Sequence, residues 1–430
     1  MADIDRRSFN KILGSAAAVG LVTSVVKAPF VHAKGKTSGR VVIIGGGVGG
    51  ASVAHQIKKN TRDIEVTLIE PNPTYTSCFF SNHYIGGFRS MNSLQHNYDG
   101  LKKLGVKVIH DYARGIDSEK KVVFLKGEPD IAYDKLVLSP GIDMKYEAIE
   151  GYSKEVARIM PHAWMTGDQT QILRRRLVDM KDGGVVVISV AANPYKCPPA
   201  PYERASLIAH YLKSHKPASK LIILDTKSVF PQMELFEEVW SSEYKGLVEW
   251  IPGDKHGGVV KVIANEMSLV TRNGDTVKAD VVNVIPPQKA SSIVTKAGCA
   301  VGDWCPIIPD SFASRKVKDI FVLGDAAMAR KMPKSASSAN SQAQIVANAI
   351  AAQLTERKMF PPRYRNTCWS LLATNNTIKA GASYTAGKEV VEQKTSFISD
   401  VKEDKGVRAA NFKESLKWYE EITNDMFAKG

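Results

Sequence analysis

Short runs of consecutive hydrophobic residues alternate with segments of helical periodicity along much of this chain. The first run, residues 40–44 (RVVII), leads into a glycine-rich turn and then into a predicted helix over residues 51–57. Residues 65–70 (EVTLIE) form the next hydrophobic run, which ends in an acid. Continuous runs of this length are typical of strands buried on both faces of a parallel sheet. The pattern predicts a unit of strand, turn, helix and strand.

The turn of this unit carries three glycines at the spacing of a dinucleotide-binding fingerprint. Gly45 allows the tight turn, Gly47 lets the backbone approach a pyrophosphate, and Gly50 lets the helix pack closely on the strand. The helix N-terminus then offers unpaired N–H groups to the phosphates. Glu70 stands where a carboxylate can accept a hydrogen bond from a ribose hydroxyl, which argues against a 2′-phosphate. The sequence therefore predicts a dinucleotide site.

Further hydrophobic runs extend the pattern to two α/β units. The segments predicted as strands are 106–109, 121–125 and 133–138 in the first unit and 184–190, 221–225 and 279–285 in the second. A later strand, 319–323, ends in Gly324 and Asp325. An early glycine fingerprint and a late Gly-Asp pair together close one FAD site. The predicted fold class is α/β, with two Rossmann-like, disulfide-reductase-type dinucleotide-binding domains plus a C-terminal interface domain.

The predicted helices and domain limits complete this organisation. Residues 161–180 are predicted to be mostly helical, and Ser337 or Ser338 is predicted to cap an alanine-rich helix that runs to about Leu354. A signal peptide is predicted at residues 1–33. The FAD-binding domain is predicted in two parts, at residues 38–150 and 291–360, with the second Rossmann-like domain between them at 151–290. The C-terminal interface domain is predicted at residues 361–430.

The second unit lacks the glycines that a nicotinamide site needs directly after its first strand. Residues 191–201 read AANPYKCPPAP and contain four prolines. Proline has no backbone N–H, so this segment cannot cradle a pyrophosphate. We therefore predict that the second domain has kept the plan of a dinucleotide-binding domain but has lost its nicotinamide site.

The formal net charge of +14 bears on the expected partners. Nucleic acid is disfavoured because lysine and arginine are scattered and are not interleaved with an aromatic platform. The positive surplus favours an acidic protein partner or an anionic substrate. We predict no metal site.

The N-terminus predicts export to the periplasm. Residues 5–11 (DRRSFNK) form a twin-arginine motif, which is followed by a hydrophobic run over 12–26 and a small-residue end at 31–33. Cleavage is predicted after Ala33, and an uncleaved anchor is the alternative. Twin-arginine export carries folded proteins, often with a cofactor inserted, which agrees with a dinucleotide site close behind the signal. No later stretch reaches the length of a transmembrane helix, so no integral span is predicted for the mature chain.

Four unusual strings carry a resemblance to a known family. They are YTSCFFSN, CPPAPYERA, PKSASSANSQ and NTC, at residues 75–82, 197–205, 333–342 and 366–368. With these strings the chain closely resembles the flavoprotein subunit of flavocytochrome c sulfide dehydrogenase, within the disulfide-reductase-like group that includes sulfide:quinone reductase. The similarity covers essentially everything after the signal. One departure is Ala200, where the family commonly has glycine.

The resemblance implies roles for three of the five cysteines. Cys78 matches the residue whose sulfur is bonded to the flavin 8α-methyl, so covalent FAD is expected; a small buried thiol is the alternative. Cys197 and Cys368 match the redox-active pair beside the flavin, with a purely structural disulfide as the alternative. Cys299 and Cys305 remain, either paired across a short loop or left as buried thiols. The chain has no C-x-x-C-H motif and so no c-type haem of its own.

The resemblance also implies roles for two acids and one helix. Glu203 matches the candidate base of the family, and an ordinary solvated glutamate is the alternative. Asp325 is expected to accept a hydrogen bond from the ribityl chain. The helix after Ser338 is expected to point its N-terminus at the pyrimidine edge of the flavin, where its dipole would stabilise negative charge.

These features predict an exported FAD enzyme that oxidises sulfide to sulfur or polysulfide and passes electrons to a separate c-type cytochrome subunit. Trp418 and Tyr419 are expected near the docking surface or the flavin, or else to pack a helix on the core. One alternative is a sulfide:quinone reductase, which residues 412–427 disfavour because they are acidic and offer little apolar area. The other is a non-catalytic flavin-bearing partner of a sulfur-oxidation system.

Overall fold

The computed structural model of the 430-residue chain describes residues 37–165 and 167–429. The predicted twin-arginine signal at residues 1–33 lies outside the described residues. Within the described part of the chain, no helix is both long enough and apolar enough to cross a membrane.

The first sheet consists of five parallel strands built from the hydrophobic runs of the first unit. Their order across the sheet is Ile320–Val322, Lys135–Leu138, Gly39–Ile44, Ile64–Ile69 and Lys107–Ile109. The central strand is buried almost throughout, as its run of Val and Ile predicts. The helix Val48–Asn60 follows it, and the helix Ala336–Thr355 contacts that helix through Asn340 and Ser52.

The second sheet repeats this plan with four parallel strands. Their order is Val248–Ile251, Lys220–Asp225, Val185–Val190 and Val281–Ile285. The helix Ala200–His215 follows the strand Val185–Val190 after the proline-rich segment. The two parallel sheets confirm the predicted fold class.

The C-terminal region is a three-stranded antiparallel sheet followed by a long helix. The strands are Arg363–Ala373, Asn376–Ala386 and Val391–Ile398, and the helix is Lys405–Phe427. Asp425 in this helix accepts hydrogen bonds from Gln56 and Asn340, at 2.6 and 2.5 Å, so the helix is tied to both helices of the first unit.

The remaining elements are short. The other strands are Tyr75–Thr76, Gln95–His96, Ala113–Asp117, Val122–Leu125, Ile131–Ala132, Ile142–Met144, Val259–Ile263, Ser268–Thr271, Thr276–Lys278, Gln288–Ala290, Cys305–Pro306 and Ala327–Met328. The other α-helices are Ser81–Ile85, Asp99–Lys103, Asp168–Asp179, Met233–Glu243, Gly253–His256 and Ser292–Lys296. Single 3-10 turns lie at Asn92–Leu94, Tyr146–Ala148, Val156–Arg158, Ala264–Glu266 and Gly324–Ala326.

The prediction of a helix over residues 161–180 is wrong for its first part, because the helix begins only at Asp168. The carbonyl of His162 instead accepts hydrogen bonds from the side chains of Arg204 and Asn283. Side chains from the second unit thus satisfy this backbone, which has no need of helical hydrogen bonds.

The predicted cap of the alanine-rich helix is also wrong, by about one turn. Ser335 is the N-cap, and its Oγ accepts from the N–H of Ser338 at 3.1 Å. Ser337 and Ser338 lie inside the first turn, where their hydroxyls bind the C-terminal strand: Ser337 accepts from the N–H of Thr367, and Ser338 donates to Asn366.

Candidate active site

In the glycine turn, the backbone leaves no room for a side chain at Gly45 or Gly50, the first and third fingerprint positions, but leaves free space at Gly47, the second. Gly45 has a φ of +101°, and a Cβ there would lie 2.3 Å from the carbonyl oxygen of Ser139. A Cβ on Gly50 would lie 1.9 Å from the carbonyl oxygen of Gly45. A Cβ on Gly47 would approach only Tyr75, at 3.8 Å. The first and third positions therefore need glycine to form the turn, while the second faces free space.

Glu70 follows the strand Ile64–Ile69 and reaches back to the turn. One oxygen accepts from the N–H of Gly46 at 2.8 Å, and the other accepts from the backbone and side chain of Asn72. The hydroxyl of Tyr98 donates to the Gly46 carbonyl at 3.1 Å. The acid shapes the turn and also lines the cleft in front of it.

A cleft of about 720 Å³ begins at this turn. The predicted cofactor-binding residues that line it are Gly45, Gly47, Glu70, Cys78, Gly324 and Asp325. Gly50 lies behind the turn, packed against Gly45. The size of the cleft, the free space at Gly47 and the helix N-terminus behind it fit an extended dinucleotide such as FAD.

A smaller cavity of about 110 Å³ adjoins the cleft, and Cys78, Lys196, Asp325, Ser335 and Ala336 line both. This cavity brings together the cysteines and the acid that the resemblance singled out: Cys78, Cys197, Cys368 and Glu203. These four residues come from the first unit, the second unit and the C-terminal sheet. The structure therefore assembles them from distant parts of the chain at one end of the cleft.

Cys197 stands at the start of the helix Ala200–His215, in a left-handed backbone conformation with φ of 53°. Its N–H donates to the carbonyl of Lys334 at 2.7 Å, which ties the second unit to the segment before the alanine-rich helix. Cys368 lies in the strand Arg363–Ala373, where its sulfur contacts Asn366.

Burial governs the electrostatics of this pair. Desolvation raises the pKa of Cys197 well above its ordinary value, and Cys368 and Glu203 raise it further. Desolvation also raises the pKa of Cys368, against a smaller opposing effect from Asn366 and Ser335. All five cysteines are free thiols in the structure. A thiolate at either sulfur is therefore costly.

Glu203 is fixed rather than solvated. It lies in the first turn of the helix Ala200–His215, and its side chain is 12% exposed. One oxygen accepts from the N–H of Leu371 at 3.0 Å, and the other from the amide of Asn82 at 2.7 Å. This single side chain therefore connects the loop of Cys78 with the strand of Cys368.

Asp325 lies in the 3-10 turn Gly324–Ala326, where the cleft and the cavity meet. Lys334 donates to the carbonyls of Asp325 and Ala327 at 2.8 and 2.7 Å and stands 3.7 Å from the ring of Trp304. Burial lowers the pKa of Lys334 to about 8. The N-terminus of the alanine-rich helix, at Ser335, opens into the same junction.

Trp418 and Tyr419, the aromatic pair of the C-terminal helix, face different parts of the molecule. Trp418 lines the cysteine cavity and packs against Trp369 and Phe79, with ring centroids 5.1 and 5.5 Å apart. Tyr419 is buried, donates to the carbonyl of Ser93 and accepts a hydrogen bond from the Nε2 of His96. One residue thus faces the site while its neighbour packs the helix on the first unit.

Cys299 and Cys305 lie elsewhere and are fully buried, and their thiols donate to the carbonyls of Ala297 and Pro306, respectively. The interaction between the two thiols lowers the pKa of Cys299 and raises that of Cys305.

Three residues of the site escaped the sequence analysis. Arg204 is almost fully buried and donates to Asn82, to Asn283 and to the carbonyls of residues 162 and 163. Asn82 also binds Glu203, and His83 lies beside both. The resemblance had placed Asn82 and Arg204 inside matched strings, but only tertiary packing shows that they bridge the two units.

Three family models match successive parts of the chain. Residues 39–188 match pyridine nucleotide-disulphide oxidoreductase. Residues 170–286 match the central part of the sulfide dehydrogenase [flavocytochrome c] flavoprotein chain, and residues 360–427 match its flavin-binding part. Fold and site together define a sulfide-oxidising flavoprotein oxidoreductase built on the disulfide-oxidoreductase plan.

Sequence similarity to an individual protein identifies the family within this class. The flavoprotein chain of sulfide dehydrogenase [flavocytochrome c] from Chlorobaculum thiosulfatiphilum is 51% identical over 43 residues, which are 10% of this chain and 90% of that sequence. The chain belongs to this family of flavocytochrome c sulfide dehydrogenase flavoprotein chains.

More distant similarities extend to quinone-dependent proteins. The mitochondrial sulfide:quinone oxidoreductase of Dictyostelium discoideum is 27% identical over 337 residues, covering 71% of this chain and 69% of that protein. The structure of the sulfide:quinone oxidoreductase from Aquifex aeolicus superposes with a TM-score of 0.69 at 19% identity, covering 91% of this chain and 93% of the other. At that identity the superposition shows a shared fold only.

Proposed function

We propose that this chain is the periplasmic flavoprotein subunit of a sulfide dehydrogenase, with FAD bound covalently through Cys78 and electrons passed to a c-type cytochrome. The observation that carries the proposal is the cavity in which Cys78, Cys197, Cys368 and Glu203 meet at the end of the dinucleotide cleft. Export by the twin-arginine route is part of the same proposal.

FAD, when bound, supplies a two-electron acceptor that can release electrons one at a time. In the chain itself, hydrosulfide attacks one sulfur of the oxidised Cys197–Cys368 pair. A new S–S bond forms to that cysteine, the bond between the two cysteines breaks, and the other cysteine leaves as a thiolate. Both sulfurs are partly buried in the wall of the cavity. Glu203 accepts hydrogen bonds from Asn82, just after Cys78, and from Leu371, in the strand of Cys368, and so fixes the positions of these two segments relative to each other.

Anaerobic mixing with sulfide tests the reaction. The flavin absorbance of the unaltered protein should bleach, and Cys197→Ser or Cys368→Ser should slow bleaching on the order of 10³-fold. Cys299→Ser is the matched control, because Cys299 is also a buried free thiol but lies outside the cavity. A flavin that sulfide leaves oxidised would instead favour a non-catalytic flavin-bearing partner.

The attachment of the flavin has its own test. Acid or denaturant should leave the yellow colour on the polypeptide, and Cys78→Ala should release it. Quantitative recovery of free FAD from the unaltered protein would overturn the covalent assignment.

The electron acceptor separates this proposal from the quinone-dependent alternative that the similarity to sulfide:quinone oxidoreductases raises. After reduction by sulfide, a c-type cytochrome should reoxidise the flavin faster than a soluble ubiquinone analogue does. The C-terminal helix supports this order, because its buried side chains pack on the C-terminal sheet in its first half and on the first unit in its second half, and its remaining surface is largely polar. Faster reoxidation by the quinone would reverse the assignment.

A further inference from the structure

Oxidation of hydrosulfide to the level of elemental sulfur releases two electrons and one proton. The electrons have a path through the cysteine pair, but the proton must be taken up by a side chain of the cavity. Burial raises the pKa of both cysteines, so the cysteine that leaves as a thiolate would take up this proton and would then no longer be available as a thiolate, unless another group accepts the proton first. The chemistry of the proposed function, on which this inference rests, therefore requires a proton acceptor in the wall.

Glu203 is poorly placed to be the group that exchanges protons with substrate. Both of its oxygens already accept hydrogen bonds, from the N–H of Leu371 and the amide of Asn82. Breaking either contact would leave a buried donor without a partner. This carboxylate is held as an orienting group, in the way that an acid orients the histidine of other catalytic pairs.

His83 is the only histidine among the described residues that line the cysteine cavity. It lies in the helix Ser81–Ile85, directly after the Cys78 loop, and is 4% exposed. Its Nε2 lies 3.8 Å from an oxygen of Glu203, and its ring packs on Phe80 with centroids 4.3 Å apart. The ring is thus held between an acid and an aromatic side chain that also lines the cavity.

Among the other charged groups near His83, Arg89 packs on Phe80, with its guanidinium carbon 4.9 Å from that ring centroid, and does not contact the imidazole through a hydrogen bond or ion pair. Two further arginines are committed to structural contacts. Arg204 donates to Asn82, Asn283 and two backbone carbonyls, and Arg174 donates to the carbonyl of Ile85. His210, on the facing helix, reaches Phe88 and not the ring of His83. Glu203 is therefore the charged group that acts directly on the imidazole.

We propose that His83 is a catalytic residue, which takes up the proton of the attacking hydrosulfide and releases it to solvent after the sulfur has left. The S–S exchange between substrate and the cysteine pair is unchanged, and Glu203 orients the imidazole. An imidazole titrates near neutral pH without large perturbation, which suits a group that must take and release a proton in each cycle.

The test is anaerobic stopped-flow reduction by sulfide over about pH 5 to pH 9, with His83→Gln and His83→Asn. In the unaltered protein, the bimolecular rate constant corrected for the hydrosulfide fraction should show an inflection from one group. In both variants, the inflection should disappear and the rate at neutral pH should fall roughly 10²-fold. Added imidazole should restore part of the rate. His210→Gln is the matched control, because that histidine contacts Phe88, which also contacts His83, but does not line the cavity.

A second readout does not depend on the His83 variants folding. In otherwise unaltered protein, the imidazole of His83 should titrate in an NMR experiment, and Glu203→Gln should move both that titration and the kinetic inflection to lower pH. An unchanged rate and pH profile in His83→Gln, or an inflection that Glu203→Gln leaves in place, would overturn the inference. Either result would leave the proposed function intact, whereas failure of sulfide to reduce the unaltered protein would remove both.

Discussion

The two parallel sheets end in opposite ways at equivalent points. In the first, the strand Gly39–Ile44 runs into a glycine turn with free space in front, and Glu70 ends the next strand at the edge of a cleft. In the second, the strand Val185–Val190 runs into prolines, and Asp225 ends the next strand fully buried. The same sheet topology thus ends at an open cleft in the first unit and at a buried acid in the second.

In the second unit, neighbouring side chains bind the carboxylate of Asp225. The acid accepts from the hydroxyl of Tyr202 at 2.5 Å, from the indole of Trp250 at 3.2 Å and from Lys227 at 2.6 Å. The rings of Tyr202 and Phe230 stack with centroids 3.7 Å apart. Side chains therefore fill the strand end that holds a ribose in nucleotide-binding domains. The second unit contributes Cys197 and Glu203 to the cavity that adjoins the cleft of the first unit.

The largest expected effect comes from the buried acid. Asp225→Asn should destabilise the protein by about 3–5 kcal/mol, because it leaves Lys227 buried without its charged partner. Denaturant unfolding measures this, and the double variant with Lys227→Met should recover part of the loss. The flavin content of the folded protein should not change. A variant of normal stability that fails to hold flavin would break the comparison.

The equivalent acid of the first unit should behave in the opposite way. In a Cys78→Ala background, where flavin can exchange, Glu70→Gln should weaken FAD binding by about 1.5–3 kcal/mol through the loss of hydrogen bonds to a charged acceptor. Equilibrium titration with FAD gives the affinity, and thermal unfolding without added flavin should change little. Equal FAD affinity with and without the Glu70 carboxylate would show that this acid only shapes the turn.

A third prediction concerns His162, which joins the second unit to the cleft. Its Nδ1 accepts from the N–H of Trp164 at 3.0 Å, and burial lowers its pKa to about 3. The unfolded chain takes up this proton near the ordinary histidine pKa of about 6.5. The contribution of His162 is therefore complete above about pH 6.5 and is lost as pH falls towards 3, at roughly 1.4 kcal/mol per pH unit.

Unfolding measured at neutral pH and at about pH 5 checks this expectation, with His162→Gln as the comparison. The variant should lose less stability over that interval than the unaltered protein does. Identical slopes would mean that His162 does not contribute to the pH dependence. His96, whose pKa is lowered to about 4 mainly by burial, should add a slope of the same sign over a narrower pH range, so its total contribution is smaller than that of His162.

The smallest expected effect is that of salt. With a net charge of +14, an encounter with an acidic cytochrome should slow several-fold as ionic strength rises beyond physiological values, while reduction by sulfide hardly changes. Cytochrome reduction by pre-reduced flavoprotein over a salt series measures this. A flat profile would remove electrostatic guidance but not the pairing itself.

The parts of this molecule that could be predicted from sequence are those fixed by local chemistry. Hydrophobic runs predicted the strands of both parallel sheets except the edge strand Val248–Ile251, and the predicted strand 121–125 lies instead in a small antiparallel sheet. Spacing alone predicted that Gly45, Gly47 and Gly50 form a turn. The C-terminal sheet was not predicted as strands, because its edge strand Val391–Ile398 is exposed at all but one residue and has no hydrophobic run. Its conformation depends on pairing with Asn376–Ala386.

The active site depended more on resemblance than on pattern. Nothing in the spacing of Cys197 and Cys368 shows that they share a cavity, because the strand Arg363–Ala373 reaches it only through tertiary packing. Arg204 and His83 were missed for the same reason, since a charged or titratable residue at a helix start is usually solvated. The position of Ser335 as cap, rather than Ser337 or Ser338, was missed because all three hydroxyls also bind the C-terminal strand, and that contact is not visible in the sequence.

The most direct test of the account is to offer the same protein two electron donors, sulfide and NADH, in parallel anaerobic stopped-flow experiments. We expect sulfide to reduce the flavin through Cys197 and Cys368, and NADH to leave it oxidised on that timescale. We predict this difference because the buried side chains around Asp225 occupy the end of the second strand in the second unit. Reduction by NADH as fast as by sulfide would contradict this central claim, because it would require a working nicotinamide site where the structure has side chains.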